Sequence, residues 1–235
     1  LMDMQIKEKF TTLWRNYFKD AELPSTFYYT DKEEDAELIK PSTTHRCIVK
    51  DLSRVRKGHS LCFNIDSIGC FGGKRYLGFA DKVTPQFEEL FSSFLSCGVP
   101  GQIQGERYKK SPEIVKQWLK HSPQFKAPAR FILFKRWDML QESDRPEVVI
   151  FFAQPDVLAG LFTLANFDQA EPNGVFAPFC AGCASVVQYP YLEGKSQHPR
   201  GVIGMFDISA RPFLPKDMLT FSVPVNKFSQ MVANM

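Results

Sequence analysis

The chain has 235 residues, 44% of them hydrophobic and 22 of them phenylalanine, enough apolar material for a large buried core. Charged residues make up 23% and the formal net charge is +3, which excludes wholesale disorder and the concentrated basic face of a nucleic-acid-binding protein. No run approaches the ~18 apolar residues of a membrane-spanning helix, and residues 2–10 alternate charged with apolar positions instead of forming a secretory leader. A cytoplasmic protein with no nucleic-acid or membrane partner is expected.

Apolar residues recur at helical spacing from Met2 through Phe10 to Phe18, so residues 2–19 read as an amphipathic helix. Residues 25–29 read as a strand, and the charged stretch 32–40 as a solvated connection with no role beyond linkage. Residues 47–57 pattern as a short helix closed by Gly58, with Ile48, Leu52 and Val55 on one side. A strand over 60–65 leads into the Gly-rich stretch 67–78, followed by helices over 86–96 and 113–121. The apolar runs 130–135 and 147–153 suit buried strands. Helix 156–166, strand 174–179, helix 181–189, strands 202–206 and 219–223, and helix 226–235 complete the chain. Strands alternating with helices point to a mixed α/β (α+β) fold, one mixed sheet with helices packed on it. The N-terminal helix of residues 1–19 precedes a single domain over 20–235.

Six cysteines in a chain this long are not the disulfide framework of a short secreted protein. Cys180 and Cys183 form a C-x-x-C pair where a strand gives way to a helix, and a helix start stabilises negative charge on a thiol. Cys70 lies in the Gly-rich stretch, where Gly72 and Gly73 allow close backbone approach and Lys74 and Arg75 add positive charge for an anion. Lys74 is followed by Arg75, so this is not a GxxxxGK[ST] phosphate loop. Cys47 opens the helix over 47–57. Cys62 and Cys97 read more simply as packing residues. The aromatic-rich segments 188–195 and 205–212 read as candidate pocket walls, with Arg211 as the natural anion anchor there. There is no second C-x-x-C for a zinc ribbon, no ferredoxin-type cysteine run and no G-x-S-x-G elbow. The carboxylates Asp66, Asp138, Asp207 and Asp217 are scattered and define no acid–base pair by spacing.

The Arg46-Cys47 helix, the Gly69-Cys70 segment with Leu77-Gly78, the stretch Pro146 to Asp156 and above all Cys183-Ala-Ser-Val-Val-Gln-Tyr-Pro-Tyr-Leu192 resemble the ArCR proteins, domain of unknown function 169. The resemblance runs over residues 20–235. It implies no activity, but places family cysteines at Cys47, Cys70 and Cys183, with a fourth in some members near the position of Met205. Cys180 is outside that pattern, and Met205 is not cysteine.

The resemblance and the thiols together suggest a small-molecule or metal site. In it Cys47, Cys70 and Cys183, meeting at one electropositive spot, bind an iron–sulfur cluster or a single soft metal, with Cys62, Cys97 or an exchangeable molecule as fourth ligand. Two alternatives stand beside it. One is a thiol–disulfide or thiol-transfer enzyme using Cys183 with Cys180 as partner. The other is a binding module holding a small anion or cofactor through Gly72, Gly73, Lys74, Arg75 and Arg211.

Overall fold

Asp3 starts the first helix by accepting the amides of Gln5 and Ile6 at 2.9 and 3.3 Å, and α1 runs Met4–Tyr17. The computed structural model describes residues 1–32, 36–42, 44–80 and 85–235. After α1 the chain forms β1 (Ser25–Thr30), β2 (Glu37–Leu38), α2 (Ile48–Arg56), β3 (Leu61–Phe63), α3 (Phe71–Tyr76) and α4 (Pro85–Phe94). A small hairpin, β4 (Gly98–Val99) with β5 (Ile103–Gln104), leads to α5 (Pro112–His121) and β6 (Phe131–Arg136). Then come β7 (Val148–Ala153), α6 (Pro155–Asn166), β8 (Val175–Phe176), a π-helical turn over Ala184–Gln188, α7 (Tyr189–Glu193), β9 (Gly201–Gly204), β10 (Leu219–Pro224) and α8 (Val225–Ala233).

The strands form one mixed sheet ordered β2-β3-β6-β1-β7-β10-β9-β8. Its edge pairs β2–β3 and β8–β9 are parallel and the inner pairs antiparallel. The apolar runs predicted as buried strands become β6 and β7 at or next to the sheet's middle, and β7 is buried along its whole length because both faces are covered. In-register pairs such as Ser25↔Ile150 and Ile150↔Ser222 define the faces. On the back face, Phe10 and Trp14 of α1 interlock with Trp137, Phe151 and Phe228, the Phe10 ring lying 5.2 Å from Trp137 and 5.0 Å from Phe228. The other face carries α2, α3, the π-helical turn and α7 over Phe27, Phe134 and Ile150. A satellite core of Leu95, Tyr108, Val115 and Leu119 joins α4 to α5 beside it.

The mixed sheet clothed by helices is as the sequence implied, and several elements differ in extent. The connection 32–40 lies partly outside the described residues; within it, Glu37–Leu38 adds a parallel edge strand to β3. The Gly-rich stretch contains the short helix α3. Gly58 closes α2 as expected, with a φ of 93° that a residue bearing a side chain rarely adopts. The helix read over 181–189 continues to Glu193 through its π turn. Pro190 has no N–H and its ring would strike the carbonyl four residues back in an α-helix, and the wider turn ahead of it relieves both. Among the described residues no helix is long and apolar enough to cross a membrane.

On the back face Lys135 donates to Asp144 at 2.7 Å, both side chains buried, and Asp144 also accepts from Tyr28 Oη at 2.5 Å and the Gln141 amide at 2.7 Å. Asp144→Ala strands the ammonium and is expected to cost about 3–5 kcal/mol in urea unfolding, most of it recovered when Lys135→Met is added.

Candidate functional site

The main core on the face carrying α2, α3 and α7 meets the satellite core at a cavity of about 90 Å³, lined by Cys47 and Cys183 of the main core with Cys70 beside them, and from the satellite by Phe94, Tyr108 and Trp118. That volume suits a small group; drug-sized ligands occupy ~300 Å³ or more. Each cysteine sits where an element begins. Cys47 is the N-cap of α2 and Cys70 of α3, both in extended conformation, while Cys183 immediately precedes the π-helical turn. Neither sulfur is hydrogen-bonded by its helix's amides, although those of Val49 and Lys50 near Cys47 and of Gly72 and Gly73 near Cys70 favour negative charge there. Helix starts leave amides without an internal partner, and Cys47 and Cys70 stand at two such starts.

Asp207 ties the walls together. Its carboxylate accepts the Gly182 amide and the Ala210 amide (2.7 Å), and the Ser209 amide and Tyr108 hydroxyl also donate to it. Ser209 in turn donates to Glu106, which precedes Tyr108 by two residues. Gly182 is needed for this approach. A Cβ there would meet Met205 Sδ at 2.6 Å, Ala210 Cβ at 2.8 Å and Asp207 Oδ2 at 2.9 Å.

Burial governs the electrostatics. It pushes the Cys47 thiol up to about 11, against the lowering effect of the nearby Val49 and Lys50 amides. It raises Cys70 and Cys180 and takes Cys183 well above its ordinary value, with the neighbouring Cys70 and Cys47 adding to the rise at Cys183. Burial also raises Asp207, against its four hydrogen-bond donors. The lowered thiol pKa anticipated at a helix start is therefore outweighed by desolvation. Nor is the spot electropositive in its side chains: among the described residues the charged ones lining it are Glu106 and Asp207.

The remaining sequence candidates lie elsewhere. Cys62 falls between Leu61 and Phe63, which face the thiol side, so strand alternation points it to the back of the sheet. Cys97 is exposed before the small hairpin, and Cys180 is buried behind Cys183 without lining the cavity. Gly72 lines the cavity and the Gly73 amide lies near the Cys70 sulfur, but Lys74 and Arg75 do not border it; Arg75 is buried and donates to the Leu119 carbonyl at 3.4 Å. Arg211 donates to the carbonyls of Met218, Pro215 and Lys216, which pins its own loop. Glu106, Tyr108 and His45 escaped sequence reading; Asp207, Ser209 and Ala210, from the segment 205–212 read as a pocket wall, do line the cavity, although the Asp207 carboxylate itself was assigned no role. Its one local signal was Asp-x-x-Ala ahead of Arg-Pro, the pattern of a capped turn. Among the described residues no group of three or more His, Cys, Asp or Glu is gathered closely enough to hold a single metal ion.

The fold and site thus define a mixed α+β protein with a buried cavity fed by cysteines from three separate segments. The family of uncharacterised ArCR proteins, domain of unknown function 169, matches residues 17–234, and the chain belongs to it. No curated protein and no solved structure matches the chain significantly.

Timed alkylation followed by mass spectrometry is expected to label Cys97 first, Cys47 and Cys70 next, and Cys62, Cys180 and Cys183 last. Cys183 reacting as fast as Cys97 would contradict an enclosed site. Asp207→Ala, which strands buried amides, should lower stability by about 3 kcal/mol and speed labelling of Cys183.

Proposed function

We propose that Cys47, Cys70 and Cys183 together ligate an iron–sulfur cluster, with a single soft metal ion as the narrower form of the same reading. The observation that carries it is the convergence of these three thiols, remote along the chain, on one small cavity. Cys47 and Cys70 stand at helix starts, whose amides are the kind of donor that supports cluster thiolates. Phe94, Tyr108 and Trp118 make the opposite wall largely apolar. Such a group would supply electron transfer or Lewis acidity at the cavity, while the chain supplies the thiolates, the nearby helix-start amides and the apolar wall.

A lone ion needs its sulfurs within ~2.3 Å of one point, and no three-ligand group of that kind occurs among the described residues. A cluster spreads its cysteines over several irons and asks less convergence of them, which favours the cluster. Cys62 and Cys97 do not line the cavity, so the fourth position is left to an exchangeable molecule. Thiol transfer by Cys183 and Cys180 has less support, because both are buried and burial raises both thiols. An anion module has less again, since Arg211 is engaged on its own loop.

Protein purified without air should carry iron and acid-labile sulfide with visible charge-transfer absorption. Cys47→Ser, Cys70→Ser and Cys183→Ser should each lower bound iron by at least about tenfold, since each removes a ligand, while Cys62→Ser and Cys97→Ser leave it unchanged. Stoichiometric metal without sulfide would select the single ion. Metal-free protein with six titratable thiols would overturn both.

A further inference from the structure

Beside the thiol cavity lies a second, apolar chamber of about 280 Å³ between α3, α4 and the small hairpin. Its walls are Phe71, Phe87, Leu90, Phe91, Phe94 and Ile103. Cys70, Gly72, Phe91, Phe94 and His45 border both spaces, so the chamber and the thiol cavity are contiguous. The rings are already ordered against one another: Phe71 lies 4.2 Å from Phe87, and Phe87 stacks on Phe91 at 5.7 Å with 22° between planes. Leu90 is 48% exposed at the rim, although it faces an apolar space.

Polar groups are distributed unevenly along this path. Among the described residues no Asp, Glu, Lys or Arg borders the chamber; its hydrogen-bonding side chains there are His45 and Cys70, at the end shared with the thiol cavity. Glu106, Tyr108, Asp207 and Ser209 lie further in. A charged ligand would lose its hydration in the chamber without gaining a partner. A ring or short branched chain would exchange water for aromatic faces, with any polar tip directed at the thiols. The volume lies just below the usual range for ligand pockets, which sets the size near one substituted ring.

We infer that this chamber binds a small uncharged molecule, a single aromatic ring or compact hydrocarbon carrying at most one polar group, and presents it to Cys70. That the molecule is the substrate or exchangeable ligand of the thiol site rests on the function proposed above; that the chamber binds it does not.

The test is a fluorine NMR titration of the full chain with fluorotoluene, fluorophenol and fluorobenzoate. Fluorotoluene and fluorophenol should bind saturably, and fluorobenzoate at least about tenfold more weakly, the effect of ~1.4 kcal/mol of uncompensated desolvation. Leu90→Trp, a rim substitution whose fold is checked by an unchanged melting curve, should weaken fluorotoluene at least about tenfold by filling the space. Saturating fluorophenol should slow alkylation of Cys70 and leave Cys97 unaffected. The same titration is repeated on the variant with Cys47, Cys70 and Cys183 all changed to Ser, which should still bind fluorotoluene. Absence of saturable fluorotoluene binding, equal affinity for fluorobenzoate, an inert Leu90→Trp or an unprotected Cys70 would overturn the inference. If iron and sulfide are present but the chamber stays empty, only the ligand class falls. If metal is missing and the chamber still fills, only the metal reading falls.

Discussion

The buried carboxylate of Asp207 is the interaction on which the site's shape depends. It joins three segments: the loop that delivers Cys183, the turn over 207–210, and Tyr108 at the edge of the satellite core. Desolvation opposes a carboxylate in such a place and raises its pKa, and four hydrogen-bond donors offset that cost. Met205, left-handed with φ 68°, turns the chain out of β9 towards this carboxylate. The contact between Ser209 and Glu106 makes a second tie across the same seam. Together these fix the width of the cavity between the sheet-borne core and the α4–α5 satellite.

The sheet's two faces explain on which side the thiol cavity forms. The back face is covered by α1, α6 and α8; Phe10 of α1 and Phe228 of α8 interlock with Phe151 and Trp137, and α6 adds Leu161 and Ala165. The thiol face is covered by shorter pieces, α2, α3, the π-helical turn and α7. Short elements bring several ends into the interior, and Cys47 and Cys70 stand at the starts of two of them. The cavity opens where those ends fail to fill the space up to Phe94 and Trp118.

Much of this was legible in the sequence for identifiable reasons. The buried strands β6 and β7 showed because both faces are covered, which makes the run continuously apolar. α2 showed through the spacing of Ile48, Leu52 and Val55 and through Gly58. α3 did not, because Gly72 and Gly73 carry poor helix propensity and tertiary packing overrides it. β2 did not, because two exposed residues in a charged stretch carry no periodicity. The gathering of Cys47, Cys70 and Cys183 followed from the family resemblance and not from spacing. Asp207, Glu106 and Tyr108 joined them only through the fold. The positive environment expected of the thiols failed because Lys74 and Arg75, adjacent in sequence to Cys70, do not border the cavity.

The thiol energetics bear on which chemistry such a site could host. A cysteine that works by exchange is helped by a lowered pKa, so that thiolate is present before its partner arrives. Here burial moves Cys47, Cys70 and Cys183 the other way, and the neighbouring thiols raise Cys183 further because several thiolates in one dry space repel. Three negative sulfurs can share this volume only when a cation arrives with them. A bound metal supplies that charge and displaces the protons as it binds. The burial that weakens the case for thiol transfer is therefore compatible with metal ligation. It also means that the apolar chamber next door would deliver an uncharged molecule to sulfurs whose charge had already been neutralised.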